Sequence, residues 1–135
     1  MLFRSVSGDT SLSPVLVRVA AGCDLLVHEG LQPRLTRIVG RAAAEKGNRA
    51  LAKVMADIES YHAAPEAVAD EAADAGVKAL AFTHVIPPLL VPGLDQAFLG
   101  DARSRFSGPV WIARDGDLVS LPAAGGMERT RAGRM

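Results

Sequence analysis

Two short apolar runs constrain this chain more than any other feature. Leu25-Leu26-Val27-His28, opened by Asp24, lies between Gly22 and Gly30, and Val77 to Thr83 follows Gly76. Each run is continuous rather than alternating and too short for an ordinary helix, so both read as strands buried on both faces. Strands of that kind belong to sheets covered by helices, and the intervals between them carry the helices. Ser13-Pro14 is a sound helix start, Ser as cap and Pro at the first position, for a helix over 14–21 ended by Gly22. Residues 32–46 place Leu35, Ile38, Val39 and Ala42 on one face and close at Gly47. Asn48 can cap a second helix, whose Leu51, Val54, Met55 and Ile58 recur at helical spacing. Pro65 opens a further helix running to Gly76, although Ala64, at its cap, has no side-chain oxygen to offer.

The remaining segments complete an α/β chain. Residues 2–6 predict a short strand that runs at once into Ser7-Gly8-Asp9-Thr10. The second buried strand delivers His84 just past its end, where Pro87-Pro88 prevents continuation. A helix is expected near 95–105. Residues 109–113 and 118–121 flank Asp115-Gly116-Asp117, which signals a hairpin. From Ala123 onward there is no apolar period, so the expected organisation is one domain over 1–122 and a disordered tail over 123–135.

Charge and cysteine content exclude several classes of function. Lys plus Arg and Asp plus Glu both number 15 among 135 residues, so the formal net charge is zero. That argues against a nucleic-acid module built on a strongly basic face, though not against an enzyme that reads nucleic acid locally. Cys23 is the only cysteine, which excludes an intrachain disulfide and a CxxC metal knuckle. No stretch approaches the roughly 20 apolar residues of a membrane span, and the first residues lack a signal peptide's apolar stretch. A cytoplasmic location is expected.

The three histidines are the most informative residues for chemistry. His84 follows one buried strand, Asp9 follows another, and His62 precedes a helix. In an open α/β sheet, functional groups gather at the carboxyl ends of strands, and a carboxylate with an imidazole suits zinc or a similar cation. Glu29 ends its own strand and could hold a histidine in one tautomer or share its proton. Strand alternation puts His28 and Glu29 on opposite faces, so the two do not belong in one site. Taken singly, Asp9 also fits an ordinary turn, His84 a surface histidine, Glu29 a solvated strand end and Cys23 a small core residue.

Read together, five segments resemble the C-terminal half of a metallo-β-lactamase-fold hydrolase, closest to its ribonuclease Z and arylsulfatase-like branch. They are Ser7-Gly8-Asp9-Thr10, Gly22 to Gly30, Tyr61-His62-Ala63-Ala64-Pro65-Glu66, Ala75 to His84, and Ser107-Gly108-Pro109-Val110 through Asp115-Gly116-Asp117-Leu118. They occur in the family's order and cover residues 2–122. The resemblance implies one half of a four-layer αββα sandwich and metal-dependent hydrolysis of a phosphoester, sulfate ester or lactone-like bond, small-molecule or nucleic-acid. It also assigns roles: Asp9 bridges two zinc ions, His84 binds one of them, His62 protonates the leaving group, and Glu29 supports His62. The helices between residues 32 and 59 either wall the substrate pocket or pack outside the sheet.

Two departures bear on activity. Ala63 and Ala64 stand where the family has Ser or Thr, which weakens the helix cap beside His62. The His-x-His-x-Asp-His motif is absent, leaving Asp9 and His84 as two ligands where zinc takes three or four. The expectation is therefore an incomplete site, inactive alone, with one face or edge of its sheet uncovered. The alternative is a non-catalytic remnant or half-domain that binds a copy of itself or a separate N-terminal half.

Overall fold

The two buried runs pair with each other in parallel. In the computed structural model, which describes residues 3–131, they become β2 (Leu25–Leu31) and β3 (Leu80–Ile86), flanked by β1 (Arg4–Val6) and β4 (Val110–Ile112). The sheet order is β1-β2-β3-β4, and every pairing in it is parallel. Parallel neighbours require crossover connections, which helices supply. Helix α1 (Pro14–Val19) links β1 to β2. Helices α2 (Pro33–Glu45) and α3 (Arg49–Asp57), a 3-10 turn (Ile58–Ser60) and α4 (Pro65–Asp74) link β2 to β3. Helices α5 (Asp95–Leu99) and α6 (Ala102–Arg105) link β3 to β4. The α/β class expected from the sequence is the one adopted.

Alternation along the strands divides the core. Leu26, Leu80, Phe82, Val110 and Ile112 pack with Val68, Ala69 and Ala72 of α4 and with Phe98 and Leu99 of α5. The intervening Leu25, Ala79, Ala81 and Trp111 face the other way. The alanines of α4 let that helix lie close to the sheet, and Phe82 fills the space against Phe98, ring centroids 5.7 Å apart and edge to face. Gly30 sits against both rings: a Cβ there would come 2.8 Å from Phe98 Cζ and 3.0 Å from Phe82 Cδ1.

The C-terminal part differs from expectation. The anticipated hairpin between 109–113 and 118–121 does not form. Instead β4 pairs with β3, while β5 (Asp117–Ser120) pairs antiparallel with β6 (Glu128–Arg131). Burial decides this. Val110, Trp111 and Ile112 are all buried in the sheet, a larger gain than a local turn preference provides. The tail expected to be disordered from Ala123 thus contributes a strand; its residues 132–135, like Leu2 of the first expected strand, lie outside the described residues. Arg129 donates to Asp117 Oδ2 at 2.8 Å, fastening β6 to β5, and its guanidinium lies 5.1 Å from the Trp111 ring centroid. Burial raises the Asp117 carboxyl pKa, but Arg129, the Arg114 backbone N–H and Arg131 together hold it below the ordinary carboxylate value.

Val119, Leu121 and Met127 pack over the second face of the sheet, so that face is not left bare as expected. What stays open among the described residues is the outer edge of β1, where Val6 is 61% exposed. The helix expected over 95–105 is interrupted at Gly100, whose φ of 55° ends α5. No helix among the described residues is long and apolar enough to cross a membrane.

Candidate functional site

Parallel pairing brings the carboxyl ends of β1, β2 and β3 side by side. The Ser7 N–H donates to the Val27 carbonyl at 2.9 Å, so the turn after β1 leaves the sheet beside the end of β2. Gly8, at φ 69°, makes the sharp bend that presents Asp9. On β2, alternation separates the His-Glu pair as the sequence implied. His28 is fully buried, its Nδ1 lying 2.8 Å from the Glu29 carbonyl oxygen, and it takes no part in the site. Glu29, equally buried, points to the opposite side and is the member that reaches the rim.

His84 arrives by a device the sequence does not announce. Glu29 pairs with Thr83 and Gly30 with Val85, so His84 is the extra residue of a β-bulge inside β3 rather than a residue beyond its end. Its φ is 44°, the only positive φ on a non-glycine among the described residues. Such a conformation costs about 1–3 kcal/mol, and bulges beside sites commonly re-aim a side chain. Here the bulge turns His84 toward Asp9, placing its Nδ1 3.7 Å from Asp9 Oδ1.

His62 completes the group from the loop between the 3-10 turn and α4. Its Nδ1 lies 2.9 Å from Glu29 Oε2 and 3.1 Å from Asp9 Oδ1. Both neighbours are carboxylates, which only accept when ionised, so the Nδ1 proton is the donor and Nε2 is left for other chemistry. The other Glu29 oxygen, Oε1, accepts the Ala63 N–H at 2.7 Å. This resolves the effect of the Ala63-Ala64 departure. No side chain caps α4 at Ala64, and His62 is held instead by Glu29. Ser7 adds support, its Oγ accepting the Glu29 N–H at 3.3 Å.

All four expected site residues therefore converge: one ligand atom from each of Asp9, Glu29, His62 and His84 lies within 4.8 Å of the others. Their exposure differs sharply. The side chains of Glu29 and His62 are 0% and 5% exposed, those of Asp9 and His84 66% and 51%. Two carboxylates and two imidazoles are a donor set suited to zinc. Glu29 has both oxygens engaged and His62 its Nδ1, which leaves Asp9, His84 and His62 Nε2 as the more available donors.

The chain is 32% identical over 117 residues to a ribonuclease Z of Myxococcus xanthus, covering 87% of this chain and 32% of that protein. It is 30% identical over 118 residues to a ribonuclease Z of Mycobacterium avium, covering 87% of this chain and 38% of that protein. Among solved structures, the metallo-β-lactamase-fold protein YhfI of Bacillus subtilis superposes with a TM-score of 0.54 at 19% identity, over 94% of this chain and 39% of that one. The chain has the fold of part of a metallo-β-lactamase-fold protein and is similar in sequence to ribonucleases Z. It spans roughly a third of the length of these ribonuclease Z relatives, in keeping with the expected C-terminal half of the fold. No family model matches it.

Two features lie outside the four-residue cluster. The α2–α3 pair packs on itself, Gly40 against Met55, and the groove of about 470 Å³ between the two helices is lined by none of the four site residues. Tyr61, which sequence reasoning passed over, is 53% exposed, with its ring 5.0 Å from that of His62. Its position immediately before a singled-out histidine was the available signal.

Proposed function

We propose that this chain carries the C-terminal half of a metal-dependent hydrolytic centre acting on ester bonds: phosphoesters, sulfate esters or lactone-like substrates. The convergence of Asp9, Glu29, His62 and His84 at the shared strand ends carries this reading. The relatives are named for ribonuclease activity, which puts nucleic-acid phosphodiesters within the proposed class. Asp9 and His84, the exposed pair, would hold zinc. The chemistry zinc would supply there is a lowered pKa for water, giving a nucleophile at neutral pH, and polarisation of the ester. His62, entering as the imidazolium, gives its Nε2 proton to the leaving-group oxygen and returns to the neutral ring, while Glu29 accepts from Nδ1 and balances the charge the ring carries beforehand. General acid–base help of this kind contributes about 10²–10⁴-fold.

Asp9 and His84 fall short of the three or four protein ligands zinc takes, so we propose that a second set of ligands completes the centre and that this chain alone turns over little. The free edge of β1 favours a second reading, a half-domain that binds a copy of itself or a separate N-terminal half. A cytoplasmic setting fits the single, buried Cys23. The test is zinc content after dialysis, with turnover of bis-(p-nitrophenyl) phosphate measured on the same samples. The expected result is weak, sub-stoichiometric zinc that is lost in Asp9→Ala and His84→Ala, and negligible turnover. Two tightly held zinc ions with metal-dependent turnover would overturn the half-site, and zinc unaffected by either substitution would overturn the ligand assignment.

A further inference from the structure

Hydrogen bonds hold His62 at one atom only. Glu29 Oε2 at 2.9 Å and Asp9 Oδ1 at 3.1 Å both face Nδ1, and the two carboxylates differ: the Glu29 side chain is 0% exposed and that of Asp9 66%. The terminal torsion of a histidine lies in a broad well, so contacts at Nδ1 leave the ring plane free to librate and to swing from the buried carboxylate toward the exposed one. The backbone around His62 is held unequally as well. On one side the Ala63 N–H donates to Glu29 Oε1 at 2.7 Å. On the other the Tyr61 N–H reaches the Ile58 carbonyl at 3.4 Å, a long bond.

Two rings meet the imidazole where the carboxylates do not. The His84 ring centroid lies 5.7 Å away with the planes at 44°, and that of Tyr61 5.0 Å away at 43°. Both separations fall in the roughly 4.5–7 Å range of favourable ring pairs. The two neighbours are not interchangeable. His84 sits on the strained bulge and is a proposed metal donor, so its orientation answers to an ion. Tyr61 has no such second task. It belongs to neither apolar cluster among the described residues and is 53% exposed, yet it lies against a histidine whose side chain is only 5% exposed. A half-exposed tyrosine outside the core adds little to packing, and the contact it does make is with the imidazole.

We propose that Tyr61 is a positioning residue: its ring holds the His62 imidazole plane so that Nδ1 stays on Glu29 and Nε2 stays free for proton transfer. The purpose of this contact rests on the hydrolytic reading above; the contact itself needs no metal. The experiment is NMR on the full chain without metal, with the histidine ring nitrogens labelled, comparing the parent with Tyr61→Ala and Tyr61→Phe. Loss of a ring pair of this kind corresponds to about a two- to twelvefold change in the population of the displaced imidazole. Exchange of the His62 Nδ1 proton with water should therefore rise about two- to twelvefold in Tyr61→Ala and return to the parent rate in Tyr61→Phe, which keeps the ring. The Ala63 amide, bonded to the same Glu29 carboxylate, should keep its protection in both variants. Unchanged Nδ1 exchange in Tyr61→Ala, failure of Tyr61→Phe to restore it, or Ala63 exchange rising in step would each overturn the proposal. An unfolded Tyr61→Ala would overturn it too, because the ring would then support the fold rather than the histidine. Zinc content of the parent separates the two readings. No zinc with the Tyr61 dependence intact sinks only the hydrolytic reading, and zinc retained with no Tyr61 dependence sinks only the positioning role.

Discussion

The single carboxylate of Glu29 holds the site's geometry, and Glu29→Gln isolates its charge with almost no change in volume. Glu29 accepts two short hydrogen bonds, from the Ala63 N–H at 2.7 Å and from His62 Nδ1 at 2.9 Å, and is itself fully buried. A glutamine side chain has one acceptor oxygen and one donor group, so one of the two partners must face an N–H₂. If the oxygen stays on Ala63, the amide confronts the His62 Nδ1 proton; if it turns to His62, the amide confronts the Ala63 N–H. In the second case a buried donor loses its acceptor, at about 1–3 kcal/mol; in the first His62 must take its other tautomer so that Nδ1 accepts from the amide. The retained bond falls from charge-assisted to neutral, costing roughly another 1 kcal/mol. The expected loss is about 1–3 kcal/mol, which at an m-value of roughly 2 kcal/mol/M lowers the urea midpoint by about 0.5–1.5 M. Nitrogen chemical shifts of the His62 ring should report a change of tautomer as the Nδ1 proton loses its acceptor. A midpoint within about 0.2 M of the parent, with the His62 tautomer unchanged, would refute the claim that Glu29 organises the site.

Gly30→Ala should destabilise the chain by about 1–3 kcal/mol through overpacking, because the new Cβ meets Phe98 and Phe82 within 3.0 Å; a thermal melt checks it. Lys78 and the Phe3 N–H hold the Asp24 carboxyl below the ordinary carboxylate value. Its contribution to stability is therefore present above about pH 3.9 and lost as pH falls through the lowered folded value. Asp24→Asn should be less stable than the parent at pH 7, with the difference shrinking on acidification below pH ~3.9. His84→Gly should be more stable than His84→Ala by about 1 kcal/mol, since only glycine adopts a φ of 44° without strain; paired urea melts decide it.

The parts of this fold that were legible are those set by local pattern. The continuous runs at Leu25 and Leu80, the Pro-opened α4 and the Asn48 cap, whose Oδ1 accepts the Leu51 N–H, each depend on a few neighbouring residues. The bulge at His84 does not. It depends on how β3 registers against β2 once Gly30 has packed under Phe98, a relation among three distant segments. The misread hairpin has a similar origin. The Asp115-Gly116-Asp117 turn exists, with Gly116 at φ 83°, but the strand before it joins the parallel sheet and the strand after it takes Glu128–Arg131 as its partner. Alternation separated His28 from Glu29 correctly, yet which one faced the rim was decided by the Ala63 N–H, a donor 34 residues away along the chain.

The exposures of the four site residues fit the roles proposed for them. Glu29 and His62 are buried and bonded to each other and to the start of α4, so their geometry needs nothing from outside the chain. Asp9 and His84 are more than half exposed, and Asp9 Oδ1 lies 3.1 Å from His62 Nδ1 and 3.7 Å from His84 Nδ1. A proton-transfer pair must hold its tautomer before substrate arrives. A metal-ligand pair must leave room for an ion and for whatever else binds it. The buried pair meets the first requirement and the exposed pair the second. The strain at His84 belongs to this second requirement: a strand continuing without the bulge would alternate its side chains across the sheet and would not turn the imidazole out toward Asp9. The chain tolerates an unfavourable φ at one residue because β3 resumes pairing at Val85 and Ile86 immediately beyond it, anchoring the bulge from both sides.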